Sequence, residues 1–134
     1  MYSHTIKTRI RYSETDKMGY CYYGNYAQFF EIGRVETLRS LGTRYKDLED
    51  KNILLPVLNL QVNYKKPVFY DEEIKIRTVI RQLPTAKIVF DYEITNEKDE
   101  ITTTGETTLV FLNGENSRPI AAPKEILDAL KPHF

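Results

Sequence analysis

The sequence predicts an α+β fold in which one long helix lies inside a curved antiparallel sheet. Three features of its 134 residues predict this fold: an N-terminal segment with strand periodicity, one long helical pattern after it, and four later strand-like segments without another long helix. A chain of this length can bury a hydrophobic core without disulfides or metal. We therefore expect residues 1–134 to form a single domain.

The first strand is expected from Thr5 to Tyr12. Ile6, Ile10 and Tyr12 face one side of this strand, and the basic residues face the other, namely Lys7, Arg9 and Arg11. This period of two is typical of a half-buried strand. A polar, turn-like run and then a cluster of tyrosines follow this strand.

The long helix is expected from Gly24 or Asn25 to Leu41, with Gly42 as its C-cap. Its apolar residues are spread around the helix, which is typical of a helix buried on most sides. Gly33 costs about 1 kcal/mol relative to Ala in a helix, so it indicates that another backbone passes close by. The helix is therefore expected to be wrapped by the sheet.

The rest of the chain is predicted to be mainly strands. Tyr45 to Asp50 indicates a short helical turn, and four strands in meander-like succession follow it at residues 58–64, 74–81, 88–94 and 101–112. Gly105 is expected to mark a bulge or bend, and Pro123 to begin a short amphipathic helix. Such a sheet leaves edge strands open, which predicts self-association as a dimer or tetramer through the sheet.

Charge composition argues against a general nucleic-acid binder. Lys and Arg number 19 and Asp and Glu number 19, so the formal net charge is zero, whereas phosphate binding needs a basic excess. Residues 1–70 carry 11 basic and 7 acidic groups (11 − 7 = +4), and residues 71–134 carry 8 and 12 (8 − 12 = −4). An excess of this size suits one anionic ligand.

Cysteine content and hydropathy limit the class of protein further. The single cysteine, Cys21, allows no intrachain disulfide and no multi-cysteine zinc site. No run approaches about 20 apolar residues, and the N-terminus has no apolar signal-peptide core. The sequence predicts a reduced, soluble, cytoplasmic chain without membrane insertion.

The segment from Tyr12 to Tyr26 places a carboxylate, Asp16, in a tight loop just before a helix N-terminus. Unpaired backbone N–H groups at such a terminus can hold a developing oxyanion, and a carboxylate can attack a carbonyl or deprotonate a water. Together they make a minimal hydrolase for an activated acyl group. The residues alone leave other interpretations open: Asp16 is also typical of a turn, Asp16 or Asn25 suits a helix cap, and the tyrosines suit a core or interface.

Two segments carry a more specific motif. The first is Asp16-x-x-Gly19, followed by Tyr22-Tyr23 and by Asn25-Tyr26, which opens Phe29-Phe30-Glu31-x-x-Arg34-x-Glu36. The second is Val62-Asn-Tyr64-Lys-Lys-Pro67-Val-Phe-Tyr70-Asp71. Together they closely resemble the hotdog-fold acyl-CoA thioesterases of the 4-hydroxybenzoyl-CoA thioesterase type. The resemblance covers the N-terminal half by motif, and the remaining strands by pattern and length.

The resemblance implies an enzyme that cleaves an acyl-CoA or acyl-carrier-protein thioester into free acid and thiol, without a metal or redox cofactor. Asp16 would be its nucleophile or general base, and the backbone N–H of Tyr23, with that of Gly24, would bind the thioester oxygen. Tyr22, Tyr26 and Phe30 would line part of the acyl pocket together with Tyr23. The resemblance also implies a site shared between two subunits of a dimer, with dimers pairing into tetramers.

One residue departs from part of the family. A bacterial branch carries His at the position of Tyr23, followed three residues later by a Tyr that corresponds to Tyr26. Some aryl-CoA members of the family carry Tyr at this position, so catalysis is still expected, but the substrate preference of the His branch does not transfer.

Other residues support narrower expectations. His4 and His133 lie near the chain ends, which argues against a Ser-His-Asp or Cys-His arrangement and against a dehydratase. Glu31 and Arg34, spaced i,i+3, are expected to form a structural or interface ion pair. The basic groups that suit the phosphates of CoA are Lys65, Lys66 and Arg81.

The alternative function is a non-catalytic acyl-CoA-binding module, such as a ligand sensor or an assembly domain. Asp16 favours the enzyme, since a binding module needs no carboxylate at the helix N-terminus.

Overall fold

The computed structural model describes all 134 residues, and its main sheet has five antiparallel strands. The strands are β1 (Tyr2–Arg9), β2 (Ile53–Leu54), β3 (Val57–Tyr64), β4 (Glu73–Ile80), β5 (Lys87–Thr95), β6 (Ile101–Val110) and β7 (Leu112–Asn113). The helices are α1 (Tyr26–Ser40), α2 (Tyr45–Asp50) and α3 (Lys124–Leu130). The arrangement is the α+β hotdog fold expected from the sequence, with α1 packed on one face of the sheet.

The strand order of the main sheet is β1-β4-β5-β6-β3, and β2 pairs separately with β7. The expected meander is therefore right for β4 to β6 and wrong for β3, which pairs with β6 at the far edge. The position beside β4 is taken by β1, so β3 has no place there. As a result, β1 and β3 are the two edge strands.

The first strand lies earlier than expected. It runs from Tyr2 to Arg9, and Tyr12 is 78% exposed instead of facing the core. The backbone N–H of Arg11 donates to a carboxylate oxygen of Glu14 at 2.7 Å, which starts a 3-10 turn over Tyr12–Glu14 and ends the extended chain.

Helix α1 buries one face against the sheet and leaves the opposite face open. A Cβ at Gly33 would lie 2.6 Å from Oγ1 of Thr78 and 3.0 Å from Cγ2 of Ile76, so β4 does approach the helix closely here, but through these side chains and not through its backbone as expected. Gly42 has φ +88° and closes the helix, as expected of a C-cap. However, Ala27, Gln28 and Glu31 are exposed, so the expectation of burial on most sides is wrong for a single chain. The open strip lies along the first half of α1.

Gly105 does not form the expected bulge. It pairs regularly with Tyr92 and Val62, and the register shifts of β6 lie elsewhere. A Cβ at Gly105 would lie 2.3 Å from the ring of Phe30, so the glycine makes room for α1 to approach the sheet. Helix α3 follows Pro123 and buries Ile126 and Leu130, close to the expected position. None of the helices has the length and apolarity needed to cross a bilayer.

Candidate active site

The loop that carries Asp16 is an Asx turn with one carboxylate oxygen left over. Oδ1 of Asp16 accepts the backbone N–H of Met18 at 2.9 Å, and the Asp16 carbonyl accepts the N–H of Gly19 at 3.0 Å. Gly19 has φ +84°, which a glycine adopts without strain. Oδ2 has no hydrogen-bond partner within the chain. Thus Asp16 is a turn residue, as one interpretation expected, and still offers a free oxygen.

Neither Asp16 nor Asn25 caps α1 through its side chain. Instead, Nδ2 of Asn25 donates to the carbonyl oxygen of Glu14 at 2.8 Å, and the N–H of Tyr22 donates to the same oxygen at 2.8 Å. The Glu14 side chain is buried and paired with Arg11 at 3.2 Å. These contacts fix the chain between the Asp16 loop and the start of α1.

The entry to α1 leaves two backbone donors free. A 3-10 turn over Tyr23–Asn25 runs directly into α1, and the N–H of Asn25 donates to the Tyr22 carbonyl. The N–H groups of Tyr23 and Gly24 have no acceptor within the chain. A Cβ at Gly24 would lie 2.6 Å from the ring of Tyr22, so the glycine lets that ring lie over the turn. Two free N–H groups at a helix start suit a carbonyl oxygen that gains negative charge.

A cavity of about 260 Å³ lies between this loop, the start of α1 and the end of β3. Its lining residues are Asp16, Met18, Tyr20, Cys21, Tyr23, Tyr26, Tyr64, Lys65, Lys66 and Pro67. The structure thus brings Asp16, Tyr23 and Tyr26 together, as the sequence predicted.

Three of the predicted site residues do not line the cavity. Tyr22 is 46% exposed and its ring packs against Tyr23 at 4.7 Å between centroids. Gly24 contributes its backbone at the helix start. Phe30 is fully buried and stacks on Tyr92 at 4.3 Å, so it belongs to the core under the sheet.

The end of β3 supplies residues that sequence reasoning did not assign to the acyl site. The ring of Tyr64 packs edge-on against Tyr26 at 5.1 Å, and its hydroxyl donates to the carbonyl oxygen of Tyr23 at 3.1 Å. Lys65 to Pro67 continue the cavity wall. The sequence signal for these residues was the motif from Val62 to Asp71. This motif marks the end of β3, but it does not show that the strand end lies beside Asp16 in the fold.

Burial keeps the Cys21 thiol and the Tyr26 hydroxyl protonated at neutral pH. It raises the pKa of the Cys21 thiol to about 11 and that of the Tyr26 hydroxyl to about 12. Asp16 is the only carboxylate that lines the cavity. Asp16 is therefore the candidate base or nucleophile of this cavity.

The predicted basic groups divide between two places. Lys65 lines the cavity and forms no ion pair, whereas Lys66, also at the wall, pairs with Glu100. Arg81 pairs with Asp91 at 2.9 Å and lies outside the cavity. Only the two lysines are placed to meet a ligand there.

The expected ion pair between Glu31 and Arg34 is absent. Glu31 is exposed, while Arg34 is buried and its Nε donates to the Tyr45 hydroxyl at 3.1 Å. His4 and His133 both lie outside the cavity, and the ring of His133 packs on Tyr2 at 4.7 Å.

Comparison with known proteins gives one consistent result. Residues 10–130 match the family described as the thioesterase-like superfamily. The protein named "Putative acyl-CoA thioesterase YneP" of Bacillus subtilis is 34% identical over 119 residues, which cover 89% of this chain and 86% of that protein. The acyl-CoA thioester hydrolase YbgC of Escherichia coli is 28% identical over 123 residues, 92% of each chain.

A solved structure agrees with these relatives. The crystal structure of a DHNA-CoA thioesterase from Staphylococcus aureus is 41% identical in sequence, with a TM-score of 0.87. The match covers 99% of this chain and 86% of that one.

Proposed function

The chain belongs to the thioesterase-like superfamily, and we propose that it is an acyl-CoA thioesterase in which Asp16 performs the chemistry and the helix start binds the thioester oxygen. One observation carries this assignment. A carboxylate oxygen without a partner, Oδ2 of Asp16, and the Tyr23 turn with its two free N–H groups border the same cavity. A nucleophile or base and an oxyanion site are the two parts that acyl transfer needs.

The thioester carbonyl oxygen accepts the N–H of Tyr23, and that of Gly24, with the positive end of the α1 dipole behind them. These donors stabilise the negative charge that the oxygen gains, an effect worth about 10²–10³ in rate for a single donor. Because the donors belong to the backbone, the Tyr side chain at position 23 does not prevent them from acting.

Asp16 then acts through Oδ2 in one of two ways. As a nucleophile, Oδ2 bonds to the carbonyl carbon, the C–S bond breaks and the thiolate leaves; water then hydrolyses the mixed anhydride and releases the acid. As a general base, Oδ2 takes a proton from a water whose oxygen attacks the carbon directly, and the proton passes to the departing sulfur. Both routes give free acid and thiol.

Tyr23 and Tyr26 form part of the acyl wall, with the Tyr22 ring packed against Tyr23 at its outer side. The substrate thiol is CoA or the phosphopantetheine of an acyl-carrier protein. A single cysteine left as a free thiol is consistent with a cytoplasmic enzyme.

A second copy of the chain completes the assembly at the β3 edge. Val57, Leu58 and Leu60 are large apolar residues that are 42–55% exposed on this strand. Pairing of β3 with β3 of a second copy buries them and satisfies the open backbone edge. Two such dimers then associate into a tetramer.

The first test is thiol release from a panel of acyl-CoA and acyl-carrier-protein thioesters with short, medium, long and aromatic acyl groups. The native chain is expected to hydrolyse at least one class, with free acid and thiol formed in equal amounts. If acyl-CoA binds by calorimetry but no thioester of the panel is cleaved, the chain is a binding module, which is the alternative function.

A second experiment separates the two routes of Asp16. A single turnover in H₂¹⁸O, with enzyme in excess, places ¹⁸O in the Asp16 carboxylate if Asp16 is the nucleophile and water attacks the Asp16 carbon of the mixed anhydride. A general base places ¹⁸O only in the product acid, as does attack of water on the acyl carbon of the anhydride, so ¹⁸O in Asp16 is the result that assigns the nucleophile. Mass spectrometry of the peptide that contains Asp16 reads the difference.

A further inference from the structure

We propose that Tyr64 is a positioning residue for the oxyanion site: its hydroxyl orients the peptide group between Tyr23 and Gly24, and so makes the N–H of Gly24 the second oxyanion donor. This inference rests on the proposed function. It assigns a role to a side chain from the edge strand, which lies 41 residues further along the chain than the turn that it holds.

Three contacts join Tyr64 to the start of α1. Its hydroxyl donates to the Tyr23 carbonyl oxygen at 3.1 Å, and its ring packs edge-on against the rings of Tyr23 at 6.3 Å and Tyr26 at 5.1 Å. The same carbonyl oxygen also accepts the N–H of Tyr26. Partial burial raises the pKa of the Tyr64 hydroxyl, which remains a donor at neutral pH.

Holding this carbonyl determines where an N–H points. A trans peptide group is planar, so its C=O and N–H point in opposite directions. The carbonyl of Tyr23 and the N–H of Gly24 belong to one peptide group, and a donor on the first fixes the direction of the second. A hydrogen bond to the carbonyl also polarises the group and strengthens its N–H as a donor.

The helix hydrogen bond from Tyr26 alone leaves the turn less constrained. A 3-10 turn that starts at an unpaired end can rotate its first peptide group, and a bond from a neighbouring strand opposes that rotation. Because Tyr64 ends β3, the oxyanion turn is tied to the strand edge where we place the second copy. The geometry of the donor then depends on the sheet as well as on the helix.

The first test compares Tyr64→Phe with Tyr2→Phe. Tyr64→Phe keeps the ring in the cavity wall and removes only the hydroxyl. Tyr2 lies on β1, the opposite edge strand, and outside the cavity. Tyr2→Phe removes a hydroxyl that is hydrogen-bonded to the Ser40 hydroxyl at 2.5 Å. We expect Tyr64→Phe to lower kcat about tenfold, the effect of one lost hydrogen bond, with KM changed less than about twofold. Tyr2→Phe retains the native kcat, and both variants unfold at similar temperatures. A native kcat in Tyr64→Phe, or a loss confined to KM, overturns the proposal.

The second test reads the carbonyl directly. An acyl-CoA with a ¹³C-labelled thioester carbonyl is bound to Asp16→Asn, and the carbonyl stretch is measured by infrared difference spectroscopy. Strong oxyanion donors lower this frequency, so adding Tyr64→Phe is expected to raise it toward the value in water, and adding Tyr2→Phe is not. An unchanged frequency contradicts the role of Tyr64.

The two tests separate this proposal from the proposed function. If the native chain binds acyl-CoA without hydrolysing it, the proposed function fails. The carbonyl stretching frequency then tests by itself whether Tyr64 orients the N–H of Gly24. If hydrolysis occurs but Asp16→Asn is as fast as the native chain, the role of Asp16 fails, and the kcat of Tyr64→Phe still judges the oxyanion donor.

Discussion

The two edge strands of the sheet expose different kinds of side chain. On β1, the exposed positions are Ser3, Thr5, Lys7 and Arg9, and Arg9 lies 3.8 Å from both Glu73 and Glu97. On β3, they include Leu58, which is 55% exposed, and Leu60, which is 42% exposed. Charged edges resist pairing with another chain, whereas exposed apolar edges favour it.

The cavity also lies at the β3 side of the sheet. Tyr64 ends β3, and the residues after it line the cavity opposite Asp16. The β1 edge contributes nothing to this cavity. The β1 edge is therefore charged, and the β3 edge carries both exposed apolar residues and a wall of the candidate active site.

Placing charges on the β3 edge should have the largest effect. Leu58→Lys combined with Leu60→Lys brings like charges together across the proposed two-fold contact, at a cost of several kcal/mol. We expect the Kd of self-association to rise at least about 10³-fold, measured by analytical ultracentrifugation. Thr5→Lys on β1 is the control and should leave the oligomeric state unchanged. If the double variant has the same oligomeric state as the native chain, β3 is not the interface between the two copies.

The contact between α1 and the β3 side of the sheet depends on Gly105. Gly105→Ala forces Phe30 to move, because the new Cβ would lie 2.3 Å from its ring. We expect a loss of about 1–3 kcal/mol in the free energy of unfolding by urea. Thr108→Ala, at an outward-facing position of β6, should cost less, and adding Phe30→Leu to Gly105→Ala should recover part of the loss. A fully stable Gly105→Ala would mean that the ring has free space.

The unpaired lysine at the cavity should affect substrate binding alone. Lys65→Gln is expected to raise KM for acyl-CoA about two- to fivefold without changing kcat, and less so at high salt, as for an exposed charge contact. Arg81→Gln, which alters an ion pair outside the cavity, is the control. Equal KM values in Lys65→Gln and the native chain would show that Lys65 does not contribute to acyl-CoA binding.

Cys21 should give the smallest effect, because its thiol stays protonated. With a pKa of about 11 instead of the ordinary 9.0, alkylation by iodoacetamide at pH 7 is slow, and its rate should rise about tenfold per pH unit up to pH 11. The raised pKa stabilises the fold fully below pH 9, and this stabilisation is lost as the pH rises from 9 toward 11. Rapid modification at pH 7 would contradict the burial of the thiol.

Much of the fold follows from local pattern, and the misplaced parts depend on long-range contacts. The period of two located β4 and β5 closely, and the helical pattern located α1 and Gly42. Alternation does not state which strand is the neighbour of which, so the place of β3 beside β6 could not be predicted. Likewise, Gly105 is explained by Phe30, a residue 75 positions earlier in the chain.

The site was predicted in part for the same reason. Asp16, Tyr23 and Tyr26 lie within one short segment, so a motif brings them together. Phe30 is one helical turn beyond Tyr26, about 6 Å further along the axis, which moves it from the cavity to the core. Tyr64 reaches the site only through the strand order of the sheet, and no local pattern contains that information.

The most direct test of the catalytic role of Asp16 is the kcat of Asp16→Asn on an acyl-CoA that the native chain hydrolyses, measured by thiol release. Asp128→Asn, an exposed acid on α3, is the control, and calorimetry confirms that both variants bind substrate. We expect Asp16→Asn to retain binding and to lose at least about 10²-fold in kcat, while Asp128→Asn keeps the native value. A kcat of Asp16→Asn within a few-fold of the native value would contradict the assignment of the chemistry to Asp16.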